Sequence, residues 1–548
     1  MPGLRQAGRI AVMAVALAGG GVLAGPGTAL AAGCQPRAIN QPANPAGTGG
    51  SNFLSGVSVL SACDAWMVGQ YESASGAQQT LTEHWTGGPD WTVVPSPSPG
   101  QAGGQFAEND LRAVAAVSAD NAWAVGSYSD HSTTHGLVLR WDGSHWTQAD
   151  VPGGGYSFGG VTALSARDVW VAGIDTAGLP LLLHFDGTDW APSDLTGLKN
   201  AIPAGARITL DGMTATSASD VWAVGSYTVG FSIFENTLTL HWDGLRWSRI
   251  PSPVTTPPGD ELGTRLVSVS ATSASDVWAV GDAHEGQHTA ILHYDGQRWA
   301  VVPSPDPGAV ANGPSINGLN SVAAVSPDSA FAVGAYGNDQ DATESQSLLL
   351  QWDGRTWTQI PSPSPGLLLN GLDAVASGPA GTVWAAGSFS DHQNTEFQAT
   401  AAEFGVVPGV IGDPRAAAVD ALNGAGLDIT ITEVRPPGSG CGIGNAGTVI
   451  AASPAAGTLT AFPVNLTVCA TTTAVPGVLS FDDASARRAI TSAGLTAGSV
   501  TMTPSCAALR GEVLTQNPAQ DTVVPVGSAV SLTEATGRQP NGKPCPIE

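Results

Sequence analysis

Four histidines occupy one position of a pattern that recurs along the chain, and they are the first residues to consider for metal or acid–base chemistry. They are His84, His184, His241 and His293. An imidazole can ligate a metal or exchange a proton near neutral pH. The same position holds Arg140, Gln351 or Glu403 in other copies of the pattern. Because separate copies of a repeat lie apart in space, we expect these histidines to be structural and predict no metal site.

Other histidines and several acids fall in segments that differ between the copies. The histidines are His131, His135, His284, His288 and His392, and the acids are Glu108, Asp110, Asp260 and Glu261. Cleaving a glycan with paired carboxylates needs a general acid and a general base that converge in one pocket. The sequence has no phosphate-binding loop, and no segment before residue 413 has convincing helical periodicity. We therefore predict no catalytic residue, no enzyme and no cofactor.

A further acidic loop contains oxygen ligands of the type that calcium prefers. Its residues are Asn338, Asp339, Asp341 and Glu344. Their spacing is loose, so we interpret this segment as a solvated loop.

The recurring pattern itself has seven copies. Its first aromatic position holds Trp66, Trp123, Trp170, Trp222, Trp278, Phe331 and Trp384, at intervals of 47 to 57 residues. Each copy reads as four short strands rich in Val, Leu and Trp, with an Asp-Gly turn before the fourth strand in most copies. Seven such units can bury both of their faces only by closing into a ring. We therefore predict a mainly β fold, with a seven-bladed β-propeller over residues 33–405.

The sixteen tryptophans are all accounted for by this repeat. Six lie in second strands, four in third strands and six in fourth strands, at equivalent positions. Residues that recur in every blade are expected to pack the core, so we do not interpret the tryptophans as a sugar-stacking surface.

The seventh copy lacks its fourth strand, which has a consequence for ring closure. After Phe404 the chain continues without an Asp-Gly turn or a fourth-strand tryptophan. Residues 37–47 resemble the fourth strand and exit of the sixth copy, residues 358–366. We predict that residues 36–46 supply the outer strand of the last blade.

The loops of the propeller differ in variability between its two faces. The loops between second and third strands, and those between blades, lie on one face and vary most, as in residues 129–136, 193–211, 254–265 and 337–344. The opposite face carries short Ser/Asp and Asp-Gly turns that hardly change. Ligands are usually bound by variable loops on a rigid scaffold. If the propeller binds a partner, we expect it on the variable face.

Charge and the N-terminus indicate location. The formal net charge is −25, and Lys199 and Lys543 are the only lysines. This composition argues against nucleic acid or an anionic membrane as a partner. Residues 1–32 combine Arg5 and Arg9 with an apolar run that ends in a small-residue cleavage pattern, as in a secretory signal. We expect an exported monomer that has no membrane span after signal cleavage.

Six cysteines follow the signal segment. An even count in an oxidising compartment predicts three disulfides, although fifteen pairings are possible. Proximity along the chain favours Cys34–Cys63, Cys441–Cys469 and Cys506–Cys545. None of the spacings is typical of a zinc site.

Two further copies of a different unit follow the propeller, at residues 406–471 and 472–537, before a tail at 538–548. Each opens on Val-Pro-Gly, continues into an Ala-rich helix that ends in Ala-Gly-Leu, and then has a Gly-x-Val segment, a proline and a last apolar strand. These motifs resemble the PASTA domain of penicillin-binding proteins and bacterial serine/threonine kinases. The second copy has the family's Gln516-x-Pro518 element, whereas the first has Ala452-Ser-Pro454.

The resemblance implies attachment to the cell wall, with peptidoglycan or another wall glycan as the partner. Many PASTA units act only as spacers, and no kinase or transpeptidase motif accompanies these two. The composition and the style of the repeats resemble secreted actinobacterial proteins. We predict an exported, wall-associated binding or scaffold protein. One alternative is a glycan hydrolase or lyase that the PASTA units target to the wall, and another is a protein-binding platform with these units as spacers.

Overall fold

The computed structural model describes residues 42–546, except 47–49, 62, 74–75, 89, 101–107, 130–132, 153–156, 199–200, 231, 233, 254–262, 285, 309–314, 338–343, 379–382, 392–395, 426 and 436–439. The predicted signal segment 1–32 and the predicted closing strand up to residue 41 lie outside these residues.

The first four sheets are antiparallel and follow the chain in order. We call each sheet a blade and number the blades along the chain. Blade 1 contains β1 (Asn52–Ser61), β2 (Asp64–Glu72), β3 (Gln78–Trp85) and β4 (Thr92–Val93). Blade 2 contains β5 (Glu108–Ser118), β6 (Asn121–Ser129), β7 (Thr134–Trp141) and β8 (Trp146–Gln148). Blade 3 contains β9 (Ser157–Ser165), β10 (Asp168–Ile174), β11 (Pro180–Phe185) and β12 (Trp190–Pro192). Blade 4 contains β13 (Ala206–Ser217), β14 (Asp220–Val229), β15 (Asn236–Trp242) and β16 (Trp247–Arg249).

The next three sheets continue the pattern. Blade 5 contains β17 (Thr264–Ser273), β18 (Asp276–Ala283), β19 (His288–Tyr294) and β20 (Trp299–Val301). Blade 6 contains β21 (Ile316–Ser326), β22 (Ser329–Gly337), β23 (Gln346–Trp352) and β24 (Trp357–Gln359). Blade 7 contains β25 (Leu369–Ser377), β26 (Val383–Ser390) and β27 (Gln398–Val406). The first strand of each blade contacts the first strand of the next, and β1 contacts β25. The sheets therefore close into a β-propeller with their first strands around a central channel.

Aromatic side chains fill the space between the blades. Trp66 of blade 1 packs against Trp141 and Trp146 of blade 2, with ring centroids 5.0 and 5.1 Å apart. Trp222 of blade 4 packs in the same way against Tyr294 and Trp299 of blade 5. The second-strand tryptophans are at most 3% exposed. The prediction that they pack the core is confirmed.

The C-terminal part contains two units of one design. The first has α1 (Arg415–Gly424), β28 (Ile429–Val434), β29 (Val449–Ser453), β30 (Leu459–Thr460) and β31 (Val464–Cys469). The second has β32 (Thr472–Ala474), α2 (Asp483–Ser492), β33 (Thr496–Thr503), β34 (Val513–Asn517), β35 (Val523–Pro525) and β36 (Ala529–Ala535). In each unit the last long strand lies between a parallel and an antiparallel neighbour. Each unit therefore combines one helix, as its sequence predicts, with a three-stranded sheet.

The closure of blade 7 differs from the prediction. Residues 42–46 form no strand, and in the described residues the fourth strand of this sheet is β30 from the first C-terminal unit. This strand pairs only with Gly405 and Val406, beyond the part of β27 that pairs with β26. Leu459 and Ala461 pack with Phe331 and Phe404, where other blades place a fourth-strand tryptophan. The C-terminal unit thus completes the core between blades 6 and 7.

The described N-terminal residues still lie against the outer edge of blade 7. The Ala399 amide donates to Asn44 Oδ1 at 3.0 Å, as the Ser347 amide donates to Ser364 Oγ in blade 6. The Ala46 amide donates to Asn52 Oδ1, matching the Gly366 bond to Asn370. Residues 42–46 therefore take the position of a blade exit.

Two of the predicted disulfides are present. Cys441 is bonded to Cys469 and Cys506 to Cys545. Cys63 is also disulfide-bonded, and its predicted partner Cys34 lies outside the described residues. None of the helices in the described ranges is both long and apolar enough to cross a membrane.

Candidate functional site

Every blade has a β-bulge at the same place in its first strand. The pairing of first and second strands skips one residue after a leucine that recurs in six blades, or after Phe158 in blade 3, as between Leu266 and Ser268 in blade 5. Opposite each bulge the second strand has a glycine, such as Gly281. A Cβ added to Gly281 would overlap the carbonyl oxygen of Arg265. The glycine that lies three residues after the second-strand Trp or Phe331 therefore allows the bulge to form.

The extra residue of each bulge lines the central channel. In chain order these residues are Ser55, Arg112, Gly159, Asp211, Val267, Asn320 and Asp373. Together with the two residues that follow each of them, they enclose a cavity of about 190 Å³. The backbone at this level is the same in all seven blades, whereas the side chain differs in charge and size. We call these seven residues the channel ring.

A second set of side chains lies above the channel ring, on the variable face. Each blade contributes the residue two positions before its bulge and the residue paired with it on the second strand. In chain order the pairs are Phe53/Gln70, Asp110/Ser127, Ser157/Ile174, Thr209/Ser226, Arg265/Asp282, Gly318/Ala335 and Gly371/Ser388. We call them the mouth pairs. Blades 2, 4 and 5 place polar or charged pairs here, whereas blades 6 and 7 place small residues.

The charged mouth residues pair with one another. Arg112 Nε donates to Asp110 Oδ2 at 2.7 Å, and Arg265 Nη2 donates to Asp282 Oδ2 at 2.9 Å. Glu235 Oε1 accepts a hydrogen bond from Ser226 Oγ at 3.0 Å. Burial raises the pKa of Glu235, although Arg265 opposes this effect. Acidic side chains from blades 4 and 5 therefore converge around Arg265.

Two acids of the channel ring are also difficult to ionise. Burial raises the pKa of Asp211, with partial compensation by Arg265 and Arg112. Burial raises the pKa of Asp373 to about 7. Asp373 accepts a hydrogen bond from Asn320 Nδ2 at 3.1 Å. The ring thus has weakly compensated carboxyl groups on two sides of the channel.

A groove extends from the channel across blades 1 to 3. It has a volume of about 570 Å³, and its lining includes Gln70, Glu108, Asp110, Arg112 and Tyr128. Two of the acids singled out in the sequence, Glu108 and Asp110, therefore lie together beside the mouth. The other two, Asp260 and Glu261, lie outside the described residues.

The described variable-loop histidines lie in two separate places, His135 in one and His284 with His288 in the other. His135 stacks on Tyr128 with ring centroids 4.9 Å apart. His288 Nδ1 lies 2.8 Å from Asp306 Oδ2, and its ring is 5.7 Å from that of His284. His131 and His392, like Asn338, Asp339 and Asp341 of the acidic loop, lie outside the described residues, whereas Glu344 is exposed. Within the described ranges, no cluster of three or more His, Cys, Asp or Glu side chains is arranged to hold a metal ion.

The four repeated histidines have a structural environment at the opposite end of the blades. His241 Nε2 lies 2.7 Å from Asp220 Oδ1, and the imidazole packs on Trp222 with centroids 4.3 Å apart. Trp222 Nε1 donates to the same carboxylate at 3.1 Å. The same His–Asp contact recurs at His84, His184 and His293. The structural interpretation of these histidines is confirmed.

The channel ring and most mouth pairs were missed by reasoning from sequence. The signal was present, because Arg112, Asp211, Asn320 and Asp373 differ between copies while the flanking Leu and Val positions recur. The ring can be recognised only once the bulge is known, because the extra residue of a bulge shifts the alternation of faces that a regular strand would have.

Comparisons with known proteins give the following findings. No protein-family model matches the chain. No curated protein matches it either. Among solved structures, a GH74 xyloglucanase from Xanthomonas campestris is 16% identical, with a TM-score of 0.42, over 66% of this chain and 55% of that chain. YCF48 bound to D1 peptide is 14% identical, with a TM-score of 0.39, over 68% and 99%. The extracellular region of the Ser/Thr kinase PrkC from Staphylococcus aureus is 22% identical, with a TM-score of 0.17, over 25% and 48%.

The chain thus spans only 55% of the xyloglucanase chain that it matches. All three TM-scores lie below 0.5, so these likenesses carry no argument about function. The propeller fold rests on the sheets and their closure described above.

Proposed function

We propose that the protein is an exported, cell-wall-associated binding protein. Its blades form a rigid propeller whose last blade is completed by β30 of the first C-terminal unit, and the channel mouth on the variable face is the ligand site. The two C-terminal units are PASTA domains that contact peptidoglycan. The observation that carries the proposal is the set of side chains around one mouth that differ from blade to blade, on a backbone that is the same in every blade.

The disulfides support the exported location, since such bonds persist in oxidising compartments. The helix-and-sheet design of the C-terminal units supports the PASTA assignment, together with the Val-Pro-Gly opening of each unit. In the second unit Gln516 Oε1 accepts from the Val478 amide, and its Nε2 donates to the Pro476 oxygen. The family's Gln-x-Pro element thus holds the opening segment in place.

Sedimentation with purified peptidoglycan tests the wall contact. The mature chain is compared with a chain that ends at Ala470, which removes the second unit and its separate core. We expect the full chain to sediment and the shortened chain to sediment less. Equal retention of both chains would contradict a role for the second unit. A chain that ends at Gly405 is unsuitable, because it would lose Leu459 and Ala461 from the core of the last blade.

A second candidate function is cleavage of a wall glycan by the propeller, acting as a hydrolase or a lyase. The convergence of Asp211, Glu235 and Asp282 favours it, because a general acid needs a carboxyl group that retains its proton near neutral pH. Release of soluble sugars from purified wall material, compared between the mature chain and Glu235→Gln, tests this candidate. Hydrolysis that is lost in the variant would favour the enzyme, and no release by either chain would favour binding alone.

A third candidate is a protein-binding platform on which the C-terminal units are spacers. In that case the mature chain would not sediment with peptidoglycan, while a protein ligand would still bind at the channel mouth.

A further inference from the structure

Blades 6 and 7 leave their part of the mouth open. Where other blades have Phe53, Asp110 or Arg265, these two have Gly318 and Gly371. Neither glycine has a positive φ. Among the described residues, no atom lies within 4 Å of a Cβ built on Gly318, and only the Ala335 Cβ, at 4.0 Å, is near one built on Gly371. Packing in the described structure therefore does not require glycine at either position.

Two hydrogen-bond acceptors lie directly below this opening. Asn320 Nδ2 donates to the Leu372 carbonyl oxygen at 3.0 Å and to Asp373 Oδ1 at 3.1 Å. These bonds fix the amide so that its Oδ1 remains an acceptor, and Asp373 Oδ2 is a second acceptor. No donor from the described residues contacts either oxygen, and no described cation pairs with Asp373.

These acceptors fit a primary ammonium group. Asp373 is half-buried in the channel, where a cation would stabilise its carboxylate, and an ammonium group supplies a compact charge with three donors. Arg112 and Arg265 do not supply this charge, because their guanidinium groups pair with Asp110 and Asp282. The unpaired acceptors thus indicate a cation that comes from a ligand.

The depth of the site indicates what kind of molecule bears the ammonium group. Gly318 and Asn320 are two residues apart on one strand, as are Gly371 and Asp373, so the acceptors lie about 7 Å below the rim. A lysine side chain can bridge this depth while its backbone remains on the rim. An amino sugar has its nitrogen directly on the ring, which would have to enter the narrow channel.

We propose that the half of the mouth formed by blades 6 and 7 binds a lysine side chain of a peptide, with its backbone on Gly318 and Gly371 and its ammonium group at Asn320 and Asp373. The proposal rests on the propeller being a binding module. The chain's own excess of acidic residues favours approach of such a basic ligand.

Calorimetric titration of the mature full-length chain tests this site. The probe is acetyl-Gly-Lys-Gly-amide, and the same peptide with ornithine or norleucine tests the length and charge of the side chain. We expect one lysine peptide to bind per chain, the ornithine peptide to bind about tenfold more weakly and the norleucine peptide not to bind. Equal affinity for lysine and ornithine, or no binding of the lysine peptide, would overturn the proposal.

Matched variants locate the site. Asp373→Asn should weaken binding at least about tenfold, whereas Asp189→Asn, which removes an exposed carboxylate on the turn face, should not change it. Gly318→Thr should block the rim without unfolding, since blade 4 has Thr209 at this position. Gly88→Thr is its control, because Gly88 also has open space around it and lies on the other face. Binding that survives both Asp373→Asn and Gly318→Thr would overturn the proposal.

Two further outcomes separate this inference from the proposed function. Glucosamine binding that depends on Asp373, without lysine-peptide binding, would overturn the peptide assignment in favour of an amino sugar. Sedimentation with peptidoglycan by a chain that binds no lysine peptide would overturn this inference and leave the wall contact intact.

Discussion

The two ends of each blade differ in what is repeated. At the turn end, four blades repeat the same contact between a histidine, an aspartate and a tryptophan, as in His241, Asp220 and Trp222. At the channel mouth, the bulge and its opposing glycine recur in all seven blades, but the residue that the bulge places at the channel is Ser, Arg, Gly, Asp, Val or Asn. The comparison indicates that repeated side chains maintain the ring, whereas the repeated bulge presents a set of side chains that can vary.

The largest change in stability is expected when the bulge that recurs at the mouth is disrupted. Gly281→Ala would place a Cβ against the Arg265 carbonyl oxygen and disrupt the bulge. We expect the free energy of unfolding to fall by more than about 4 kcal/mol, or the chain not to fold. Gly318→Ala is the control, and its change should stay within about 0.5 kcal/mol. Thermal unfolding measures both, and similar melting temperatures for the two variants would contradict the distinction.

The second prediction concerns the boundary between the propeller and the C-terminal part. Leu459 is fully buried in the core shared with Phe331 and Phe404. Leu459→Ala should lower the free energy of unfolding by about 2–5 kcal/mol. Leu509→Ala removes an exposed leucine from the second unit and should have little effect. Chemical denaturation followed by tryptophan fluorescence reports on the propeller, since all sixteen tryptophans lie there. An unchanged fluorescence transition in Leu459→Ala would contradict the shared core.

The third prediction concerns Glu83, a buried acid next to His84 in the chain that is not part of the repeated histidine contact. Burial raises the pKa of Glu83 from 4.5 to about 8, although a hydrogen bond from the Ala43 amide opposes the shift. Between these values the folded chain holds a proton that the unfolded chain has released. Its contribution to stability is therefore present below pH 4.5 and lost as the pH rises through 8.

Glu83→Gln removes this titration and keeps an acceptor for Ala43. The free energy of unfolding, followed between pH 5 and 8.5, should decline less in the variant than in the parent chain. The two declines should differ by at least about 1 kcal/mol at pH 8.5. Parallel pH profiles for the two chains would contradict the assignment.

The smallest effect is expected at the turn end of a single blade. His241→Ala removes the partner of Asp220 and should cost about 1–2 kcal/mol. His145→Ala, at an exposed turn, should change stability by less than about 0.5 kcal/mol. Equal costs for the two variants in thermal unfolding would mean that the repeated contact adds no stability.

Much of the fold was predictable because the repeat carries it. The spacing of Trp66, Trp123 and Trp170 predicts the blades, and the Ala-Gly-Leu motifs predict the two later helices. The origin of the strand beside Gly405 was not predictable, since Leu459 lies 54 residues later and its segment has no propeller motif. The channel ring was missed because a bulge changes the direction of one residue, and alternation along a strand does not reveal it.

The most direct test of the account combines stability and binding in one variant. The double substitution Gly318→Thr and Gly371→Thr changes two residues that the bulged backbone presents at the mouth and that packing does not constrain. The account predicts an unchanged melting temperature together with loss of lysine-peptide binding. A lower melting temperature with unchanged binding would contradict it, because these positions would then maintain the fold rather than bind a ligand.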